Sequence, residues 1–193
     1  MGFLDALLGR SKPVKPDLDQ LFGLPSAAIT LQAAVGFTPT GAGSVCFASS
    51  EGGAFTQVRQ DVRALLDADP ERGGMPVEFS RDEYGYSWLL SRRDPDSLPA
   101  LVNDLHAVNS ALEDSGFGPQ LLCSLVAFRD AEELHPLALV YLYKRGTFYP
   151  FAPRPGEKRD NPLELQVKSI VKDDLRIEGD LTRWFPLWGA PGL

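Results

Sequence analysis

The stretch from Asp94 to Tyr143 constrains this chain more than any other, because its hydrophobic period changes once and cleanly. Leu98, Leu101, Val102, Leu105, Val108 and Leu112 recur every three or four residues, so the spacing predicts a helix with one apolar stripe. Asp94-Pro95-Asp96-Ser97 supplies an N-terminal capping stretch and Gly116 a stop. Two apolar runs of strand length follow, over residues 121–128 and 137–143, and the aromatic run 148–151 continues them across Gly146 as a hairpin. A long amphipathic helix feeding consecutive strands points to the α+β class.

The rest of the chain agrees with that class. Asp17 suits the N-cap of a helix running to about Val35 with Leu18, Leu21, Phe22, Ile29 and Leu31; Pro25 should divide or restart it, and Gly36 should end it. A strand is expected over 43–48. Phe55, Val58, Val62, Leu65 and Leu66 then mark a helix that ends before Pro70. Residues 77–80 and 84–91 alternate as a hairpin around Arg81-Asp82-Glu83. Asn161-Pro162 opens a last helix carrying Leu163, Leu165, Val167, Ile170 and Val171. The expected architecture is a mostly antiparallel sheet covered by about four helices, forming one domain over residues 17–193 behind an amphipathic stub and linker over 1–16. A second organisation has two similar helix–strand halves split near residue 93. Gly36-Phe37-Thr38-Pro39 and Gly116-Phe117-Gly118-Pro119 each stop a helix and lead to a cysteine-bearing strand. A sandwich of the small-chaperone kind also fits this element order.

Composition narrows the function classes. A chain of 193 residues buries about 70% of its unfolded surface and needs no disulfide or metal to hold a core. The net charge of −7 argues against nucleic acid as a partner, since phosphate binding needs a basic face. That charge is uneven: residues 1–16 carry +2 and residues 144–160 carry +3, against −12 for the remainder. Cys46 and Cys123 each lie in an apolar run, which reads as two buried thiols in a reducing compartment rather than a disulfide. Two cysteines and two histidines, widely scattered, give no zinc spacing. No run is apolar enough to span a membrane, and Asp5 interrupts the opening that a signal peptide would need. Met1-Gly2 is followed by Ala6 rather than the Ser or Thr of a myristoylation signal. A cytoplasmic location follows, with contact at the inner face of the membrane as an extension of it.

Few residues carry recognisable chemistry. Thr40-Gly41-Ala42-Gly43-Ser44 resembles a phosphate loop, but it would run from helix to strand, the reverse of the order that aims a helix N-terminus at an anion. Asn103, Asp104, His106 and Asn109 could form a polar cluster on the helix at 98–115, the basis of an alternative reading as a small-molecule binder or enzyme. No nucleophile with a defined partner accompanies them, so no catalytic residue, metal or cofactor is assigned. Two binding handles are. Phe3, Leu4, Leu7 and Leu8 form an apolar stripe; burying each contributes a gross ~1.5–3 kcal/mol, much of it offset by ordering the stub. Lys144, Arg145, Tyr149, Arg154, Lys158 and Arg159 belong to an aromatic-basic hairpin of the kind found at protein-recognition surfaces. The competing interpretation puts its aromatics in the core and its charges in solvent.

Four segments carry a resemblance: MGFLDALLGRSKPVKPDLDQLFGLPSAAITLQAAVGF, DLHAVNSALEDSGFGPQLLCSLVAF, LALVYLYKRGTFYPFAP and RWFPLWGAPGL. Together they resemble the actinobacterial PspA-associated PspAB family. That resemblance implies a non-enzymatic accessory protein of the phage-shock, or envelope-stress, system. Its implied partner is PspA or another component of that system, with weak membrane contact through the stub. The opening MGFLDALLG is also similar to the amphipathic start of PspA-type proteins, but the coiled-coil heptads of PspA are absent. A secretion-chaperone-like peptide binder is the remaining alternative, and an exposed apolar groove on the sheet would mark it.

Overall fold

The computed structural model describes residues 16–132 and 134–193; the apolar stub Phe3, Leu4, Leu7 and Leu8 lies outside them. The chain enters through a 3-10 turn, Leu18–Gly23, and passes directly into α1, Leu24–Val35. Pro25 sits in the first turn of α1, where its missing N–H costs nothing, so the proline restarts the helix as its position required. Gly36 closes α1 in the left-handed conformation (φ 72°). β1, Phe37–Ala48, follows at once and is longer than the 43–48 expected. Next come α2 (Gly53–Asp67), the hairpin β2 (Glu78–Arg81) and β3 (Tyr86–Arg92), then α3 (Leu98–Leu112). A meander of β4 (Leu121–Asp130), β5 (Pro136–Leu142) and β6 (Thr147–Phe151) precedes a small hairpin of β7 (Pro153–Arg154) and β8 (Lys158–Arg159). α4, Asn161–Val171, begins one residue beyond its cap, Asp160, whose carboxylate accepts from the Leu163 N–H at 3.0 Å.

Six strands form one sheet in the order β2-β3-β1-β4-β5-β6, every neighbouring pair antiparallel. With four α-helices among the described residues, the α+β class and the antiparallel sheet are as expected. Among the described residues, however, the helices supply one face only. Their buried stripes pack with Val45, Phe47, Leu89, Val126, Phe128, Leu139, Tyr141 and Phe148 in a core running from Leu18 to Leu175. The opposite face carries Cys46, Trp88, Cys123, Leu125, Val140, Tyr149 and Phe151, and is covered by Trp184, Leu187, Trp188, Ala190 and Leu193 of the C-terminal segment. Strands buried on both faces read as continuous apolar runs rather than alternating ones. β5, Pro-Leu-Ala-Leu-Val-Tyr-Leu, does so.

The covering segment is anchored by backbone. Phe148 N–H donates to the Arg176 carbonyl (2.8 Å), and Glu178 N–H donates to the Phe148 carbonyl (2.7 Å). Residues 176–178 thus add to the edge of β6 before the chain crosses the sheet as a strap. Trp184 Nε1 donates to the Glu178 carbonyl (3.1 Å), and the Tyr149 hydroxyl donates to the Phe185 carbonyl (2.8 Å).

The two-halves expectation has a spatial counterpart at the sheet's centre. α1 leads into β1 and α3 leads toward β4, and these two strands are antiparallel neighbours. Outside them the connections differ: β1 reaches β3 by way of α2 and β2, whereas β4 turns directly into β5.

Candidate functional site

The glycine-rich run Thr40–Ser44 is a bulge, not an anion cradle. The register of β1 against β4 shifts between Pro39 and Gly43. Gly41 lies at φ 82°, and its carbonyl accepts from Arg93 N–H at 2.8 Å. A Cβ there would fall 2.1 Å from the Arg93 carbonyl oxygen. A Cβ at Gly43 would press on the Leu125 carbonyl and on Leu101 and Leu105. These glycines serve chain-to-chain approach.

The polar cluster predicted on α3 disperses, because successive helix residues point about 100° apart. Asn103 is exposed. Asn109 is buried, and its amide donates to the Leu105 carbonyl and to Ser124 Oγ, both at 2.8 Å. Asp104 turns inward as well. It accepts from Arg72 Nη1 (2.7 Å), from Arg93 Nε (2.8 Å) and Nη2 (2.7 Å), and from Ser91 Oγ (2.7 Å). Arg93 Nη2 reaches on to Asp69 (2.7 Å), whose carboxyl the Arg93 hydrogen bond holds below its ordinary range. This buried ionic knot ties α3 to β3 and to the turn after α2. It is architecture.

His106 alone of that set opens on a cleft, of about 550 Å³, lined by Pro16, Asp17, Leu18, Asp19, Ser110, Glu113 and Asp114. The imidazole stacks on Phe22 with ring centroids 4.8 Å apart. Its Nε2 lies 3.3 Å from Asp19 Oδ1, and its Nδ1 lies 3.4 Å from Ser110 Oγ. Aspartate, histidine and serine thus stand in the order of a hydrolytic relay. Both links are longer than a working proton-transfer hydrogen bond, and the Asp19 side chain is 85% exposed. Four carboxylates around the cleft also oppose any developing oxyanion. What the geometry offers is an acidic, solvent-open concavity beside the point where residue 16 leads back to the basic linker. Sequence reading missed Asp19, Ser110 and Glu113 as its walls. The signal was present: positions 106, 110 and 113 share one helix face.

The aromatic-basic hairpin resolves toward the core. Tyr141, Tyr143, Phe148, Tyr149 and Phe151 are all buried. Tyr149 is therefore corrected as a surface handle: it is fully enclosed, stacks on Trp184 (6.0 Å) and donates its hydroxyl to the strap. Burial raises its phenol above the ordinary range. Three of the basic residues answer the protein's own carboxylates. Arg145 pairs with Glu178 (3.2 Å), Arg154 with Asp160 (2.5 Å) and Arg159 with the buried Glu164 (2.9 Å). Lys144 and Lys158 are exposed and form no ion pair among the described residues.

Cys46 and Cys123 are both buried free thiols. Among the described residues, no three His, Cys, Asp or Glu side chains gather as a metal-ligand set, and no helix is long and apolar enough to cross a membrane. The sheet face that a chaperone-like groove would use is filled by the chain's own strap.

The class defined here is an α+β domain with a helix layer on one sheet face, an irregular strap on the other, and an acidic open cleft. A family model described as PspA associated protein B matches residues 1–192, and the chain belongs to that family. No curated protein and no solved structure matches it.

Proposed function

We propose that this protein is a non-enzymatic accessory protein of the bacterial envelope-stress, or phage-shock, system. In this reading it is cytoplasmic and docks on PspA or a related membrane-associated component, with weak contact at the inner membrane face. The observation that carries the reading is the family match, which extends through the apolar N-terminal stub. The exposed surface on the α1 side favours docking. Phe22 (49% exposed), which stacks on His106 of the acidic cleft, and Ile29 (72% exposed) of α1 present apolar area to solvent. Lys144 and Lys158 remain available to an anionic partner, whereas Arg145, Arg154 and Arg159 are engaged internally.

Deletion of residues 1–12 tests the handle. It removes none of the side chains of the described core, which begins at Leu18. The shortened protein is expected to keep its circular dichroism spectrum and melting temperature. It should lose most of its co-sedimentation with PspA-coated anionic vesicles. Full retention of that co-sedimentation would overturn the role given to Phe3, Leu4, Leu7 and Leu8. A second reading, small-molecule binding or hydrolysis at the cleft, is favoured only by the Asp19–His106–Ser110 alignment.

A further inference from the structure

Cys46 and Cys123 meet at the centre of the sheet. They are Cα register partners on β1 and β4, and both lie on the strap-covered face. Directly opposed residues of an antiparallel pair stand about 4.5–5.5 Å apart at Cα, with side chains on the same side. A disulfide spans about 4.4–6.8 Å. The two thiols therefore occupy positions a disulfide can bridge with little backbone movement. The register shifts just beyond the pair, where Leu122 is the extra residue of a bulge and gives β4 room to adjust. Access, not geometry, is what the native state withholds. The pair is 3% and 6% exposed, under a lid that includes Trp184 and Ala190.

We propose that Cys46 and Cys123 form a reversible oxidation site: a cross-strand disulfide that closes in place when a peroxide-class oxidant passes beneath the strap. One thiol attacks a peroxide oxygen and becomes a sulfenic acid, releasing one water. The second thiol attacks that sulfur, forms the S–S bond and releases a second water. Two electrons leave the cysteines and two reach the peroxide. The hydrogen bond to Cys123, followed by burial, pushes the Cys46 thiol up, which keeps the reduced pair slow to react while the strap is seated. The rate of closure then reports strap opening, and the product staples the two central strands together. This site is independent of the docking role.

The full-length folded protein is treated with hydrogen peroxide, quenched with iodoacetamide and mapped by non-reducing peptide mass spectrometry. The expected product is a single peptide pair joining Cys46 to Cys123, which dithiothreitol returns to two alkylatable thiols. It should form roughly tenfold faster in Trp184→Ala, whose strap opens more often. Sulfinic acid on one cysteine, or a disulfide between two chains, overturns the proposal. If peroxide leaves both thiols intact, refolding in glutathione redox buffers decides. The fraction bridged in the folded protein should correspond to an effective concentration roughly a hundredfold above that in urea. A value no higher than in urea overturns the proposal.

Discussion

Asp104 shows how far one side chain can mislead a sequence reading. It sits between Asn103 and His106, and all three are polar and within one helical turn. On α3 they point to different worlds: Asn103 to solvent, His106 to the acidic cleft, and Asp104 to two arginines inside the molecule. The apolar stripe of α3 was legible because Leu98, Leu101, Leu105 and Leu112 repeat. The inward turn of Asp104 was not, because its partners Arg72, Ser91 and Arg93 come from segments that only the fold brings near. Two guanidinium groups on one buried carboxylate make its removal costly, since each arginine would keep its desolvation without its counter-charge. Asp104→Ala should therefore lower unfolding free energy by roughly 3–5 kcal/mol, read as a shifted urea midpoint with an unchanged slope. Asp19→Ala, at the exposed end of the His106 contact, is the control and should change stability by less than about 1 kcal/mol. Equal effects would mean that the knot carries no special weight.

At the scale of elements, periodic segments were readable and aperiodic ones were not. The four helices and the two hairpins follow from apolar spacing and from Pro, Gly and Asp punctuation. Asp82 is a clear instance: its carboxylate accepts from Tyr84 N–H, Tyr86 N–H and Trp88 Nε1, fixing the β2–β3 turn. β1 was under-read because Pro39 and Gly41 look like loop residues. They belong to a strand that bulges where Arg93 crosses it. That crossing makes a prediction about the element rather than the residue. Gly41→Ala sets a Cβ at φ 82° and 2.1 Å from a backbone oxygen that no rotamer change can move. β1 pairs with both β3 and β4, so relief would have to displace the sheet's centre. A loss of at least about 2 kcal/mol is expected, seen as a lower melting temperature. Gly53→Ala, in α2 with open space around its Cβ, should be neutral or mildly stabilising. A Gly41→Ala protein that melts with the parent would show that the bulge accommodates a side chain at this position.

For the whole molecule, the C-terminal end is a structural part rather than a tail. Among the described residues the helix-side core begins at Leu18, and the C-terminal strap is itself the layer that covers the other face. Composition hinted at this, since Trp184-Phe185-Pro186-Leu187-Trp188 is too apolar for a solvated tail. Without a helical or strand period, nothing in the residues told which surface it would cover. The answer lies in β4, β5 and β6, whose apolar residues on both faces require a cover on each. Removing residues 184–193 takes away Trp184, Leu187, Trp188, Ala190 and Leu193 together. That uncovers Cys46, Trp88, Leu125, Val140 and Phe151, a contiguous apolar face at the middle of a six-stranded sheet. Such a face is not tolerated in water by a monomer. The truncated chain should bind a hydrophobic dye and self-associate on a sizing column, while deletion of residues 1–12 leaves both readouts at parental levels. The contrast between the two ends is the discriminating result. A strap-less protein that elutes in the parent's oligomeric state and stays dye-silent would mean the helix layer alone stabilises the sheet, and that the second face needs no cover.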